Sequence, residues 1–207
     1  MDVFEAIDTL ISIRRIKSDA VEQSKIDRIL EAAVRAPSPA NTQPWEFILI
    51  RDRSVKERIA EINYEGASIY IQNRKLKMDE DRKKYLFASL KNMSQIPAML
   101  VLCVNWQKAD FMRKEGKDSE LNVLLERLSV YGSIFPAMQN ICIAARAMGI
   151  GCWITMYHLY KEREFKELLA IPDYIEAVAI ISFGYPKGRF KESNRKDFRE
   201  ITHFDRW

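Results

Sequence analysis

The feature that most restricts the fold is the stretch Ala98–Asn105, which follows Pro97 and is apolar almost throughout. A strand covered on both faces carries such a run, whereas a strand exposed on one face alternates polar and apolar residues. Glu176–Phe183 has the same character and leads into Gly184-Tyr185-Pro186. The sequence therefore predicts two buried strands that need helices on both sides.

Apolar residues at helical spacing surround these strands. The stretch 135–148 is apolar on nearly all sides, which predicts a central, buried helix. Ser24 with Asp27 resembles a capping box at the start of another helix. Helices interleaved with a few buried strands predict an α+β fold, a three-layer α/β/α sandwich, built as one domain over residues 1–207. The predicted helices cover 2–13, 25–35, 54–62, part of 64–94, 119–131, 135–148 and 161–169, with further strands at 46–51 and 152–156 and a polar tail of about twenty residues.

Composition excludes several classes of protein. Apolar residues make up 47% and charged residues 30%, as in ordinary globular proteins. The net charge of +4 favours an anionic ligand, but basic and acidic residues are interleaved, so we expect no nucleic-acid partner. No apolar run approaches the ~20 residues that span a bilayer, so we expect no membrane partner either.

The cysteines and the N-terminus indicate a cytoplasmic protein. Cys103, Cys142 and Cys152 are odd in number, lack a CxxC spacing and lie in apolar surroundings. They are interpreted as reduced core residues. The opening Met1–Glu5 carries acids where a signal peptide would carry basic residues.

Local motifs offer no catalytic acid, nucleophile or metal site. The two histidines, His158 and His203, have no metal-ligating neighbour at usable spacing. Cys152 and His158 could form a nucleophile pair, but a core cysteine and a partly exposed histidine explain them better. There is no GxSxG, Walker or GxGxxG motif. If the chain is an enzyme, we expect a cofactor to carry the chemistry.

The stretch Ala36–Trp45 reads Ala-Pro-Ser-Pro-Ala-Asn-Thr-Gln-Pro-Trp and predicts a tight, hydrogen-bonding loop between a helix and a strand. The amides of Asn41 and Gln43 can donate and accept, which suits an amide-rich ligand edge such as a flavin pyrimidine ring. A plain turn in which Asn41 bonds its own backbone is the alternative, and physical chemistry alone favours it.

This stretch resembles the APSxxNxQPW loop of the nitroreductase family of FMN-dependent oxidoreductases. Other segments follow in the family's order and spacing, so that the resemblance covers nearly the whole chain: Gly149–Ile154, Ile171-Pro172, Ala177–Pro186, Arg195-Lys196 and His203–Trp207. The resemblance implies a nitroreductase-like fold with a central, mostly antiparallel sheet and a buried central helix. It also implies a homodimer that exchanges C-terminal tails and holds FMN at the interface.

The resemblance further implies which residues bind the cofactor. Arg14 would lie near the flavin N1–O2 edge, Ser12 near the ribityl chain or phosphate, and Arg195 at the phosphate. The loop residues would come from the partner subunit, and the backbone near Trp153 would face the flavin N5 side. The full set is Ser12, Arg14, Arg15, Pro37, Ser38, Asn41, Gln43, Trp153, Ile154, Thr155 and Arg195, with no metal ligand.

The N-terminal motif departs from the family pattern. Where the family has Arg-Arg-Ser-x-Arg, this chain has Leu10-Ile11-Ser12-Ile13-Arg14, so two phosphate-binding arginines are replaced by apolar residues. Replacement charge could come from Arg15, Lys187, Arg189, Arg195 or Lys196. Asn73-Arg74-Lys75 could also reach the cofactor, although an exposed helix surface is the favoured interpretation.

The function implied is an oxidoreductase in which FMN carries the chemistry and no side chain is catalytic. A hydride would pass from NADH or NADPH through flavin N5 to a nitroaromatic, quinone or flavin acceptor by a ping-pong mechanism. One alternative is a flavin-binding sensor or carrier without turnover. Another is a member with divergent chemistry, dehalogenating or flavin-consuming, for which residues 64–94 could supply a substrate lid.

Overall fold

The computed structural model describes residues 1–109 and 119–207, and an antiparallel sheet lies at its centre. In the described ranges its strands are β1 (Trp45–Ile50), β2 (Ala98–Asn105), β3 (Gly151–Thr155) and β4 (Ile175–Gly184), in the spatial order β1-β2-β4-β3. The two stretches predicted as buried strands are the two central ones. The four predicted strands are confirmed to within about a residue at each end.

Helices cover both faces of the sheet. They are α1 (Val3–Asp8), α2 (Gln23–Ala33), α3 (Arg53–Asn73), α4 (Glu80–Lys91), α5 (Trp106–Ala109), α6 (Glu120–Ala147) and α7 (Glu162–Leu168). Strand β2 shows why both faces need covering: Met99 and Val101 enter a core with α3, whereas Leu100 enters a core with α2 and α6. The predicted three-layer α+β sandwich is therefore confirmed.

Helix α6 corrects one prediction, because it runs unbroken where helices 119–131 and 135–148 were expected. It spans 28 residues and contains Pro136 in its interior. Val130, Ile134 and Ala137 are buried on either side of the proline, and this packing outweighs the cost of one missing hydrogen bond. By length and composition alone α6 is the one helix of the described residues that could cross a membrane, and in the structure it packs on α2 and the sheet.

The N-terminal region corrects a second prediction. The helix expected over 2–13 ends at Asp8, and the next residues are extended. Ser12 forms a parallel bridge with Cys152, and the Ile13 backbone N–H donates to the Cys152 carbonyl at 2.9 Å. A Cβ at Gly151 would lie 2.8 Å from the Ile13 Cβ, so glycine is needed for this approach. Pairing with β3 has overridden the local helical pattern.

Helix α2 corrects the predicted capping box. The helix begins at Gln23, with Glu22 as the N-cap residue and no side-chain cap. Ser24 and Asp27 therefore lie inside the helix instead of at its start. The apolar stripe that predicted this helix is confirmed, since Ile26 and Ile29 are buried against the sheet.

His158 is fully buried, so the predicted partly exposed histidine is wrong. Its Nε2 lies 3.1 Å from the Ala177 carbonyl oxygen, and its ring centroid lies 4.5 Å from that of Phe165. It belongs to a 3-10 turn, Tyr157–Lys161, that packs against α3. Burial lowers the pKa of His158 to about 4.

This burial predicts a stability that falls on acidification. Above the unfolded pKa of 6.5 His158 is neutral in both states. Between 6.5 and about 4 only the unfolded chain takes up the proton, so the free energy of unfolding falls by about 1.4 kcal/mol per pH unit. Urea unfolding should show a loss of about 2 kcal/mol between about pH 7 and 5 from this group. His158→Gln should remove that component and His203→Gln should keep it; equal pH dependence in all three proteins would contradict the assignment.

Candidate active site

Two adjacent cavities open along β3 and share Ile154 as a lining residue. The tyrosine cavity, of about 440 Å³, is lined by Arg14, Tyr70, Leu86, Trp153, Ile154, Thr155, Met156, Tyr157, Leu159 and Tyr160. The Ser12 cavity, of about 360 Å³, is lined by Ile7, Leu10, Ile11, Ser12, Gln139, Cys142, Cys152, Ile154 and Arg195. The predicted residues on β3 and in the N-terminal segment are thus brought together, and Arg195 joins them from the tail.

Arg14 is the charged group of the tyrosine cavity. Its guanidinium lies 5.4 Å from the ring centroid of Trp153 and 5.9 Å from that of Tyr85, so it is held between aromatic faces. Its Nε is buried without a hydrogen-bond partner among the described residues. An unsatisfied buried donor costs about 1–3 kcal/mol. Arg14 thus combines a place in the wall of the tyrosine cavity with a buried donor that no described residue satisfies.

Tyr70 of helix α3 lines the tyrosine cavity together with residues of the turn that follows β3. The ring centroid of Tyr70 lies 5.8 Å from that of Tyr157 and 6.0 Å from that of Tyr160. The approach depends on Gly66, where a Cβ would lie 2.0 Å from the Tyr157 carbonyl oxygen. Sequence reasoning missed these tyrosines. A glycine inside a helical pattern was the signal that could have indicated a close contact.

A buried hydrogen-bond chain fixes β3 to the same helix. Thr155 Oγ1 donates to Asn63 Oδ1 at 3.0 Å, and Asn63 Nδ2 donates to the Ile59 carbonyl at 2.9 Å. Asn63 and Thr155 are both buried. The side chain of the predicted site residue Thr155 is thus bonded to α3, and the residue also lines the tyrosine cavity.

The polar region 64–94 forms the end of α3 and then α4, whose N-cap Asp79 accepts from two backbone N–H groups. Tyr70 and Leu86 from this region line the tyrosine cavity. Asn73-Arg74-Lys75, at the end of α3, are exposed and line neither cavity. The helix-surface interpretation of that triplet is the one the structure supports.

Positive charge is divided between the Ser12 cavity and a third cavity. Arg195 lies in the Ser12 cavity, where Leu10 and Ile11 supply only apolar surface. Arg15 and Lys187 line a separate cavity of about 370 Å³ that also touches Arg14. The Lys187 backbone N–H donates to the Arg15 carbonyl at 2.8 Å, which holds the two residues side by side.

The loop Ala36–Trp45 stands apart from these cavities. The Gln43 backbone N–H donates to Ser38 Oγ at 3.1 Å, so the loop closes on itself as a turn. Ala40, Asn41 and Gln43 all have positive φ, a conformation that non-glycine residues seldom adopt. None of Pro37, Ser38, Asn41 and Gln43, all in the described part of the chain, lines the tyrosine or Ser12 cavity. A single chain therefore does not bring this loop to Arg14.

Metal ligation has no support in residues 1–109 and 119–207. No group of three or more His, Cys, Asp or Glu side chains there is arranged to hold a metal ion. Cys103, Cys142 and Cys152 are free and buried, as predicted.

Comparison with known proteins finds relatives that match most of the chain. A sequence model described as the nitroreductase family matches residues 11–185. A relative from Methanothermobacter thermautotrophicus, provisionally named an NADH dehydrogenase/NAD(P)H nitroreductase, is 30% identical over 188 residues, which are 90% of this chain and 78% of the relative. The iodotyrosine deiodinase of Danio rerio is 26% identical over 208 residues, 97% of this chain and 68% of that protein. The NADPH:FMN oxidoreductase from Vibrio harveyi, complexed with NAD+, shares the fold with a TM-score of 0.72 at 16% identity, over 99% of this chain and 77% of that one.

Proposed function

The chain belongs to the nitroreductase family, and from that premise we propose that it is an FMN-dependent oxidoreductase that uses NADH or NADPH. The observation that carries the proposal is Arg14, a guanidinium held between aromatic rings with a buried Nε that has no partner among the described residues. It lines a cavity together with Trp153, Ile154 and Thr155 of β3. The shared fold with the NADPH:FMN oxidoreductase from Vibrio harveyi supports the choice of cofactor.

The residues present fit FMN. The apolar and aromatic lining of the tyrosine cavity suits a planar ring, and Arg14 would donate to its N1–O2 edge. Ser12 and Arg195 in the adjoining cavity would hold the phosphate, which carries roughly −1.5 to −2 charges. Trp153, Ile154 and Thr155 line the tyrosine cavity and would support the ring, and Ile154 also lines the Ser12 cavity.

The chain's own residues would position the cofactor and tune its charge. When bound, FMN would accept a hydride at N5 and return the electrons to a nitroaromatic, quinone or flavin acceptor in the same place, which is ping-pong use of one site. Arg14 would stabilise negative charge on the reduced ring, because a fixed guanidinium in an apolar cavity is effective at short range. The tyrosine wall would exclude water from the reacting face.

The proposal includes a homodimer with FMN at its interface. The N-terminal half of α6 leaves large apolar side chains exposed, as does the tail; large exposed apolar patches mark interaction surfaces. The loop Ala36–Trp45 reaches neither cavity of its own chain, so Pro37, Ser38, Asn41 and Gln43 would enter the partner's site. The exposed apolar residues are Leu121, Leu124, Leu125 and Leu128 on α6, and Phe198, Ile201, Phe204 and Trp207 in the tail.

We expect charges on the exposed α6 face to separate the subunits. Leu125→Glu with Leu128→Glu should halve the mass measured by sedimentation equilibrium, because burying carboxylates in an apolar interface is unfavourable. The separated subunits should also lose FMN affinity, since the partner's loop is removed. Leu76→Glu, at an exposed leucine between α3 and α4, should leave the mass unchanged. A wild-type protein that is monomeric at every concentration would contradict the proposal.

The proposal as a whole is tested with the purified protein, FMN, each pyridine nucleotide and an acceptor such as a nitroaromatic. We expect a yellow protein that oxidises NADH or NADPH above a protein-free control. A colourless protein that takes up no FMN on titration would refute the cofactor assignment. FMN binding without nucleotide oxidation would favour the sensor or carrier function instead.

A second candidate function is reductive dehalogenation. It is favoured by the similarity to the iodotyrosine deiodinase of Danio rerio, which extends over 97% of this chain. Iodide release from iodotyrosine by the FMN-loaded protein, reduced chemically, would support it. Failure to release iodide, together with rapid turnover of a nitroaromatic, would exclude it.

A further inference from the structure

The third cavity, called here the Arg15 cavity, concentrates positive charge beside the tyrosine cavity. Its volume is about 370 Å³, and no acidic residue of the described ranges lines it. The proposed FMN site leaves most of this cavity unused, since the FMN phosphate is assigned there to Ser12 and Arg195. Basic, aromatic and amide side chains of the Arg15 cavity include Arg14, Arg15, Lys187, Tyr85, Asn92 and Gln95.

The positive charge of the Arg15 cavity is not neutralised by carboxylates. Neither Arg15 nor Lys187 has an ion pair or a side-chain hydrogen bond with any residue of 1–109 and 119–207. Lys161 shows the contrast, since its Nζ lies 2.7 Å from a Glu65 oxygen and 2.8 Å from a Glu164 oxygen. The C-terminal end of α4 borders the Arg15 cavity, but a helix end carries only roughly half a negative charge. Most of the cationic charge is therefore left for an anionic ligand.

Backbone pairing brings the two outer cations together. The Lys187 backbone N–H donates to the Arg15 carbonyl at 2.8 Å, and the next residue, Ile16, forms an antiparallel bridge with Pro186. Arg15 and Lys187 are both exposed and both line the cavity, so a solute can reach them. A guanidinium and an ammonium on paired segments can bind one phosphate together, because the guanidinium fork matches two phosphate oxygens and the ammonium adds a point charge.

The remaining lining residues suit a nucleotide better than a free anion. Tyr85 is 49% exposed, and its ring centroid lies 5.9 Å from the Arg14 guanidinium, so an aromatic face is available beside the cations. A purine base can stack on such a face. The amides of Asn92 and Gln95 can donate to and accept from ribose hydroxyls. Arg14 lines both this cavity and the tyrosine cavity, so one extended molecule could occupy the two together.

We propose that the Arg15 cavity binds phosphate of the dinucleotide reductant, with Arg15 and Lys187 as the binding residues, while the nicotinamide enters the tyrosine cavity. The identity of the ligand as NADH or NADPH rests on the proposed function. Two phosphate sources share this chemistry: the pyrophosphate, which both nucleotides carry, and the 2′-phosphate, which only NADPH carries. The first predicts equal use of the two nucleotides, and the second predicts a preference for NADPH.

The test is isothermal titration calorimetry of the full chain, with and without FMN, against ADP, adenosine 2′,5′-bisphosphate and adenosine. These fragments carry no nicotinamide and undergo no turnover, so their binding is measured even if the protein fails to oxidise NADH or NADPH. We expect phosphorylated fragments to bind and adenosine to bind far more weakly. Tighter binding of the bisphosphate would assign the cavity to the 2′-phosphate, and tighter binding of ADP would assign it to the pyrophosphate. Failure of both phosphorylated fragments to bind would overturn the proposal.

Matched double variants locate the binding. Arg15→Gln with Lys187→Gln should raise the Kd of the bound fragment at least about tenfold, since hydrogen bonds to charged groups are lost. Arg53→Gln with Arg163→Gln removes the same two charges from exposed ion pairs of α3 and α7 and should leave that Kd unchanged.

Two results with these variants would contradict the assignment. Equal fragment affinity in the two double variants would show that Arg15 and Lys187 do not bind the phosphate. Weaker FMN binding by Arg15→Gln with Lys187→Gln, at unchanged fragment affinity, would show that the cavity holds the phosphate of FMN instead.

Discussion

Replacing Arg14 by methionine is expected to lower the rate constant of FMN reduction by NADH or NADPH about a hundredfold, the usual loss when one fixed electrostatic donor is removed. Methionine keeps an apolar stem between Trp153 and Tyr85, so the cavity wall should persist. With Arg14 at the ring edge as proposed, the variant would lose that charge and the stabilisation it would give to the anionic reduced flavin. Stopped-flow absorbance of the FMN-loaded protein measures the rate constant directly.

Two further variants separate charge from structure. Arg14→Lys should recover part of the rate, because it restores a cation without the planar guanidinium. Arg163→Met removes one positive charge from the exposed face of α7 and should leave the rate unchanged. If the Arg14→Met variant, at full FMN occupancy, is reduced with the wild-type rate constant, then Arg14 plays no part in flavin reduction.

Gly66→Ala is expected to lower the free energy of unfolding by about 3 kcal/mol, the upper range for overpacking a tight interior. The new Cβ would lie 2.0 Å from the Tyr157 carbonyl oxygen, so α3 or the Tyr157 turn must move. Since that turn and Tyr70 of α3 form one wall of the tyrosine cavity, FMN binding should weaken as well. Urea unfolding and FMN titration measure the two effects.

Gly188→Ala is the matched control, because no atom lies within 4 Å of the added Cβ and the backbone is not left-handed. It should change the free energy of unfolding by no more than about 0.5 kcal/mol, as surface substitutions usually do. Equal stability of the two variants would mean that α3 and the Tyr157 turn are not in direct contact in solution.

The sequence predicted the strands well because each carried its own signal. The apolar runs of β2 and β4 could lie only in the centre of a covered sheet, and both do. The extended course of residues 12–16 could not be predicted, because it depends on pairing with Cys152 and Pro186, well over one hundred residues away. The break expected between residues 131 and 135 was wrong for a related reason: buried residues on both sides of Pro136 hold α6 together as one helix.

The residues of the candidate site also fall into a group that the sequence identified and a group that it missed. Ser12, Arg14 and the β3 residues were identified by their resemblance to a family motif, and the structure brings them to two adjoining cavities. Tyr70, Tyr157 and Tyr160 carry no motif, because they meet only through the contact of α3 with the turn after β3. His158 was predicted to be partly exposed, because no local sequence signal shows that the turn Tyr157–Lys161 packs against α3. Sequence reasoning thus found residues fixed by chemistry and missed those fixed by packing.

The pairing of the N-terminal segment with the end of the chain has a consequence for the order of folding. Ser12 bridges to Cys152 and Ile16 to Pro186, so the segment that carries Arg14 has its partners only when most of the chain exists. Contacts between such distant residues slow folding, because a long loop must close before they form. We expect the segment that carries Arg14 to take up its native position late in folding, after β3 and the residues that follow β4 are in place.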